Sequence, residues 1–246
     1  MTHSEVKEYW NDKQVASMYD KNLLKIEIES ISEYLQPSYN VLDAGCGEAE
    51  TTRIYAKKCK SIIGADFSDT RLEFARKNLE GIANATLTTV DFIEGAEFKE
   101  DSFDAVISQR FLINIKNPEI QYKVIGDFYN MLKPGGRLLF LEGFEQGTKQ
   151  LNSIREKLSL DEIPVKWHNL YFDDDLFESK VTKMGFTIEA QKDFSLYFLL
   201  TRALNARLHH PNVPQWNDPL NNLAVELDAL VDIQGLSRLK LYVLSK

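Results

Sequence analysis

Cysteine is nearly absent from this chain: Cys46 and Cys59 are the only two in 246 residues. That excludes a disulfide framework, and no metal-ligand spacing runs through them, so no metal site is expected. Histidine is scarce as well, with four residues. No apolar run approaches the length of a membrane span, and Met1-Thr2-His3-Ser4-Glu5 carries no apolar signal region. A cytoplasmic protein without a membrane partner is therefore expected. Basic surplus is missing too: the net charge is −8, which argues against a surface built for nucleic acid. There is no internal repeat and no low-complexity tract. The length and a hydrophobic content of 43% suit one α/β domain with a full core.

What is present is a strand, a glycine turn and a helix start, in that order. Asn40 to Ala44 reads as a buried strand, Gly45 and Gly47 as a tight turn, and Ala49 to Lys60 as a helix. Such a turn aims the free N–H groups of the helix at a ligand. A dinucleotide fingerprint would put its third glycine at Glu50, where a carboxylate would face a pyrophosphate. A ligand without phosphate suits the loop better. The next strand, Ser61 to Asp66, ends in an acid nineteen residues after Gly47. A carboxylate at that strand end can accept hydrogen bonds from both hydroxyls of a ribose.

The rest of the chain alternates in the same way. One helix or two short ones are expected over Glu5 to Tyr19, and helices over Asn22 to Gln36 and from Ser68 to Leu79, with strands over Ala85 to Val90 and Phe103 to Gln109. Asn117-Pro118 opens a helix, Lys133-Pro134-Gly135-Gly136 closes it, and Arg137 to Glu142 is the fifth strand. Beyond it a helix is expected over Leu151 to Leu158, another over Asp173 to Met184, a strand over Phe186 to Gln191, a helix over Leu220 to Val231 and a closing strand over Leu239 to Leu244.

The run Asp43-Ala44-Gly45-Cys46-Gly47-Glu48-Ala49, the pair Asp66-Phe67, the start Asp101-Ser102-Phe103-Asp104 and Leu132-Lys133-Pro134-Gly135-Gly136 stand in register. Together they resemble class I S-adenosylmethionine (SAM)-dependent methyltransferases of the small-molecule type. Ala49 stands where that family usually has a third glycine. The resemblance covers Asn40 to Glu142 well and the flanks poorly. It implies a Rossmann-like seven-stranded, mostly parallel sheet with helices on both faces, the last strand antiparallel, plus helical insertions. It implies SAM as cofactor and S-adenosylhomocysteine (SAH) as product. Asp43, Gly45, Cys46 and Gly47 would form the loop under the cofactor, Asp66 and Phe67 its ribose site, and Asp91 and Phe92 its adenine site. Ser108 and Gln109 would face its methionine part.

One domain over 1–246 is expected: a helical cover at 1–36, a SAM-binding core at 37–142, and substrate-side insertions at 143–172 and 194–238. Tyr19 would bring an aromatic face to the sulfonium. His168 and Glu142 are the candidate general bases, and Arg110 could pair with a substrate carboxylate or phosphate. The expected reaction is methyl transfer to an O or N atom of a small molecule. A protein or peptide methyltransferase and a non-catalytic SAM binder are the alternatives. The insertions could also make a homodimer contact.

Overall fold

Val41, Leu42 and Ala44 are buried on both faces of their strand, as a strand covered by helices on each side requires. In the computed structural model, which describes residues 3–15, 18–231 and 233–246, this strand is β1 (Asn40–Ala44) at the middle of a seven-stranded sheet. Its neighbours are β2 (Ser61–Asp66) on one side and β4 (Phe103–Gln109) on the other, both parallel. β3 (Ala85–Thr89) closes the β2 edge, and β5 (Leu132–Gly143) follows β4 in parallel. β7 (Leu239–Ser245) inserts antiparallel between β5 and β6 (Thr187–Asp193), which completes the expected sheet with its last strand reversed. The strand order turns back at β1 and β4, and open α/β sheets bind ligands outside the strand ends at such a switch.

Helices cover both faces. α4 (Asp69–Asn78) is capped by the Ser68 hydroxyl, which accepts from Arg71 N, and buries Leu72 and Ala75. α5 (Pro118–Met131) starts with proline after an Asn117 cap and buries Val124, Ile125 and Phe128. α2 (Lys21–Ser32) buries Leu23, Ile26 and Ile31 against the other face, with Val41, Ile107 and Leu139. α1 (His3–Asn11) lies across the carboxyl ends of the strands.

Several expected elements differ in extent, for local reasons. The helix over Ala49 to Lys60 shrinks to α3 (Thr52–Tyr55) and a 3-10 turn at Ala56–Lys58. Ala49 sits at φ +57, a left-handed conformation that delays the helix start, and Cys59 is extended. The N-terminal helix ends at Asn11; residues 16 and 17 of the expected Glu5 to Tyr19 segment lie outside those described. The insertion helix is longer than expected, α6 (Glu145–Lys157), followed by α7 (Asp174–Lys183).

The 194–238 segment was expected on the substrate side but mostly braces α2. It forms α8 (Ser195–Phe198), a π-helical turn (Leu199–Leu204), α9 (Asn205–His209) and α10 (Pro219–Asp228). Tyr197 donates to Asp20 Oδ1 at 2.8 Å, Arg202 pairs with Asp20, and Asn22 donates to Asn222 and to the Trp216 carbonyl. Among its described residues only Arg238 reaches the cavity over the sheet.

Candidate functional site

A cavity opens over the carboxyl ends of β1 to β5, roofed by His3, Val6 and Trp10 of α1. Its floor is the glycine turn. Gly45 and Gly47 stand at φ +72 and +54, and a Cβ on Gly45 would meet the Phe111 ring at 2.6 Å. Only glycine allows this turn to pack on Phe111. Asp66 Oδ2 accepts from Gly47 N and Oδ1 from Ser68 N, both at 2.9 Å, so the carboxylate ties the turn to the start of α4. Burial raises its pKa, against these bonds and the nearby Arg71. Asp43, beside it, is pushed up to about 7 by burial, partly offset by the Thr52 hydroxyl donating at 2.6 Å and reinforced by Asp66.

Asp91, Phe92, Phe67, Cys46 and Gln109 also line the cavity. Burial would raise the Asp91 pKa, but Lys7, His3 and Ile93 N bring it below the usual carboxylate range. Lys7 makes an ion pair with Asp91, and His3 Nε2 lies 3.1 Å from Asp91 Oδ2, so α1 is fastened where the adenine is expected. Gln109 donates to Glu27 and accepts from Tyr55.

Three expected site residues are not brought into the cavity. Tyr19 does not line it and is 60% exposed. Ser108 is buried and donates to Glu142 Oε1 at 2.7 Å. Glu142 is fully buried, and its two oxygens also accept from the backbone N–H groups of Phe111, Leu112 and Ile113 at 3.0, 2.9 and 3.1 Å. Burial pushes its pKa up to about 7, with these four bonds working the other way. A carboxylate so engaged holds the turn after β4 in shape, and it is fully buried and does not line the cavity where a substrate would sit. The expectation of Glu142 as a base is corrected on that ground.

His168 does line the cavity, but as a buried ring. It stacks on Tyr9, centroids 4.6 Å apart, with Trp10 and Trp167 edge-on at 5.5 and 5.3 Å, and among the described residues its Nδ1 has no hydrogen-bond partner. Burial, then Lys166 and Lys116, lower its pKa to about 4. Arg110 stands in the left-handed region at φ +54, held by its N–H donating to Leu141 O and by Asn114 donating to its carbonyl. Its Nε lies 3.4 Å from Glu27 Oε2, so Arg110 answers a local acid while still facing the cavity.

Residues 41–136 match the family model described as "Methyltransferase domain". Over 122 residues, 48% of this chain, the sequence is 30% identical to a ubiquinone/menaquinone biosynthesis C-methyltransferase from Hydrogenovibrio crunogenus. That match covers 46% of the relative, and the chain spans about half or less of the length of the curated relatives it matches. A SAM-dependent methyltransferase from Methanosarcina mazei superposes with a TM-score of 0.58 at 16% identity, over 88% of this chain and 96% of that one. Residues 41–136 are a methyltransferase domain, and the fold is the one seen in SAM-dependent methyltransferases.

A geranyl diphosphate methyltransferase, solved with GPP and sinefungin, shares the domain's fold with a TM-score of 0.59 at 13% identity, over 90% of this chain and 77% of that one. SAM is the cofactor such a domain implies, and the residues present suit it. The turn at Gly45 to Gly47 leaves bare backbone along the floor, and the five carboxylates lining the cavity, Asp43, Glu48, Glu50, Asp66 and Asp91, all belong to the β1 to β3 side. A sulfonium and an ammonium are favoured there, and a pyrophosphate would be repelled.

Sequence reasoning missed three cations around this methyltransferase cavity. Buried Arg71 donates to the carbonyls of Trp10, Asp12 and Val15 and pairs with Glu48 at 2.5 Å, fixing the segment after α1 to the domain. Lys166 and Arg238 line the far end. Lys166 lies two residues before His168, which could have drawn notice to it. Arg238 precedes β7 with no local signal, because the antiparallel insertion of that strand is what delivers it.

Proposed function

We propose that the protein transfers the methyl group of SAM to a small-molecule acceptor bound over the ends of β4, β5 and β7. The observation that supports this most is the roofed cavity, which joins an acidic cofactor end to a separate end lined by Asn114, His168, Asn169 and Tyr171. When bound, SAM supplies a methyl already activated by its sulfonium. The acceptor would take that methyl, with SAH as the leaving group. The chain's part is to align the two reactants and keep water out. α1 and the Trp167–His168 corner provide that cover.

A neutral imidazole with a pKa of about 4 is a weak proton acceptor at neutral pH. An oxygen or nitrogen acceptor would therefore have to arrive ionised or with a free lone pair, and His168 acts as a wall and a hydrogen-bond partner. A second reading, methylation at carbon, is favoured by the names of the relatives, which include C-methyltransferases. The test is transfer of isotopically labelled methyl from SAM into a cell extract split by size. Label in the small-molecule fraction supports the proposal, and NMR of the product decides among O, N and C. Label only in protein or nucleic acid overturns it.

A further inference from the structure

The two ends of the cavity carry opposite charge. Among the described residues no carboxylate lines it on the β4 to β7 side, whereas Arg110 at the end of β4, Lys166 before His168 and Arg238 before β7 all do. These three cations sit close enough to feel one another. The Lys166 ammonium is pushed below its ordinary value by burial and then by Arg238 and Arg110.

Among the described residues Glu27 answers Arg110 at 3.4 Å, and the same carboxylate feels Arg238 without an ion-pair contact to it. Arg238 Nε is buried and has no hydrogen-bond partner, and among the described residues neither Arg238 nor Lys166 forms a side-chain ion pair. Leaving a buried guanidinium N–H without an acceptor is costly, and such a group calls for a partner that completes it. Arg110 adds a strained backbone at φ +54, the sort of outlier that persists where the surroundings hold a site in shape. In a chain of net charge −8, three cations gathered at one end of one cavity form a local field for an anion.

Resting on the methyl-transfer reading above, we infer that the acceptor is a small molecule carrying an oxyanion, a carboxylate or a phosphate. Arg238 and Lys166 grip that group with Arg110 beside them. A guanidinium offers a fixed fork of donors that matches either oxyanion in two parallel bonds, and the lysine adds a point charge. Held there, on the side away from Asp66 and Asp91, the acceptor presents its nucleophile toward the methionine end of the cofactor.

The experiment combines the labelled-methyl reaction with anion exchange at pH 8. The labelled small molecule is expected to be retained on the exchanger. Arg238→Gln is expected to lower labelling at least tenfold, with SAH affinity by calorimetry changed less than twofold, and Arg238→Lys to recover part of the loss. Label in the unretained, uncharged fraction would overturn the inference. So would a tenfold loss of SAH affinity in Arg238→Gln, which would assign the cation to the cofactor's own carboxylate. A wild-type protein that labels nothing would count against methyl transfer itself. Inorganic phosphate titrated into the SAH complex then decides the oxyanion site: saturable binding that weakens tenfold in Arg238→Gln upholds it, and equal or absent binding removes it.

Discussion

Lys7 on α1 forms an ion pair with Asp91 just beyond β3, so a residue of the roof is fastened to a residue of the wall. The lysine is about one-third exposed, and a pair in that setting contributes only about 0.2–1 kcal/mol. Lys7→Gln is therefore expected to leave the fold intact and to speed SAH release by about 1.5- to 5-fold, as that energy converts to a rate. Stopped-flow fluorescence can follow the release, since Trp10 lines the cavity. An unchanged release rate would mean that the roof does not gate the cofactor.

His168 is expected to give stability a defined pH slope. Its folded pKa of about 4 lies below the ordinary 6.5, so the unfolded chain binds the extra proton between these values. Its contribution is complete above pH 6.5 and is lost as pH falls toward 4, by about 3 kcal/mol. Urea unfolding of wild type and His168→Gln across that window should differ by this slope, with every other titrating group, Glu142 included, common to both. The same variant should keep turnover within tenfold, whereas a thousandfold loss with normal SAH binding would return proton removal to this ring.

Glu142 should behave with the opposite sign. Its folded pKa of about 7 lies above the ordinary 4.5, so its contribution is complete below pH 4.5 and is lost as pH rises through 7. Glu142→Gln should remove that decline. Glu142→Ala strands the N–H groups of Phe111, Leu112 and Ile113, and at about 1–3 kcal/mol for each buried unmet donor it should cost at least about 3 kcal/mol. Chemical denaturation at pH 6 checks this, and a loss under 1 kcal/mol would refute the anchoring role.

The motifs that could be read ahead of the structure are those written in local chain order. Asp43 to Gly47, Asp66 and Asp91 lie at strand ends, so period and punctuation suffice to place them around one ligand. The antiparallel entry of the last strand followed from the resemblance, and the register Glu142 to Lys240 bears it out. Local order does not show what an acid at a strand end meets. Glu142 looks like a catalytic carboxylate until the turn at Phe111 to Ile113 folds its N–H groups onto it. Tyr19 looks like a cover for a cation, yet the chain carries it outward. Arg71, Lys166 and Arg238 act over long sequence separations, where no periodicity can mark them.

The account rests on a cofactor held between the glycine turn and Asp66, and calorimetric titration with SAH tests that most directly. Wild type should bind one SAH saturably. Asp66→Asn should bind about 10- to 100-fold more weakly, the range of a hydrogen bond to a charged group worth about 1.5–3 kcal/mol. A folded wild-type protein that takes up no SAH, or an Asp66→Asn variant that binds it equally well, would contradict the account.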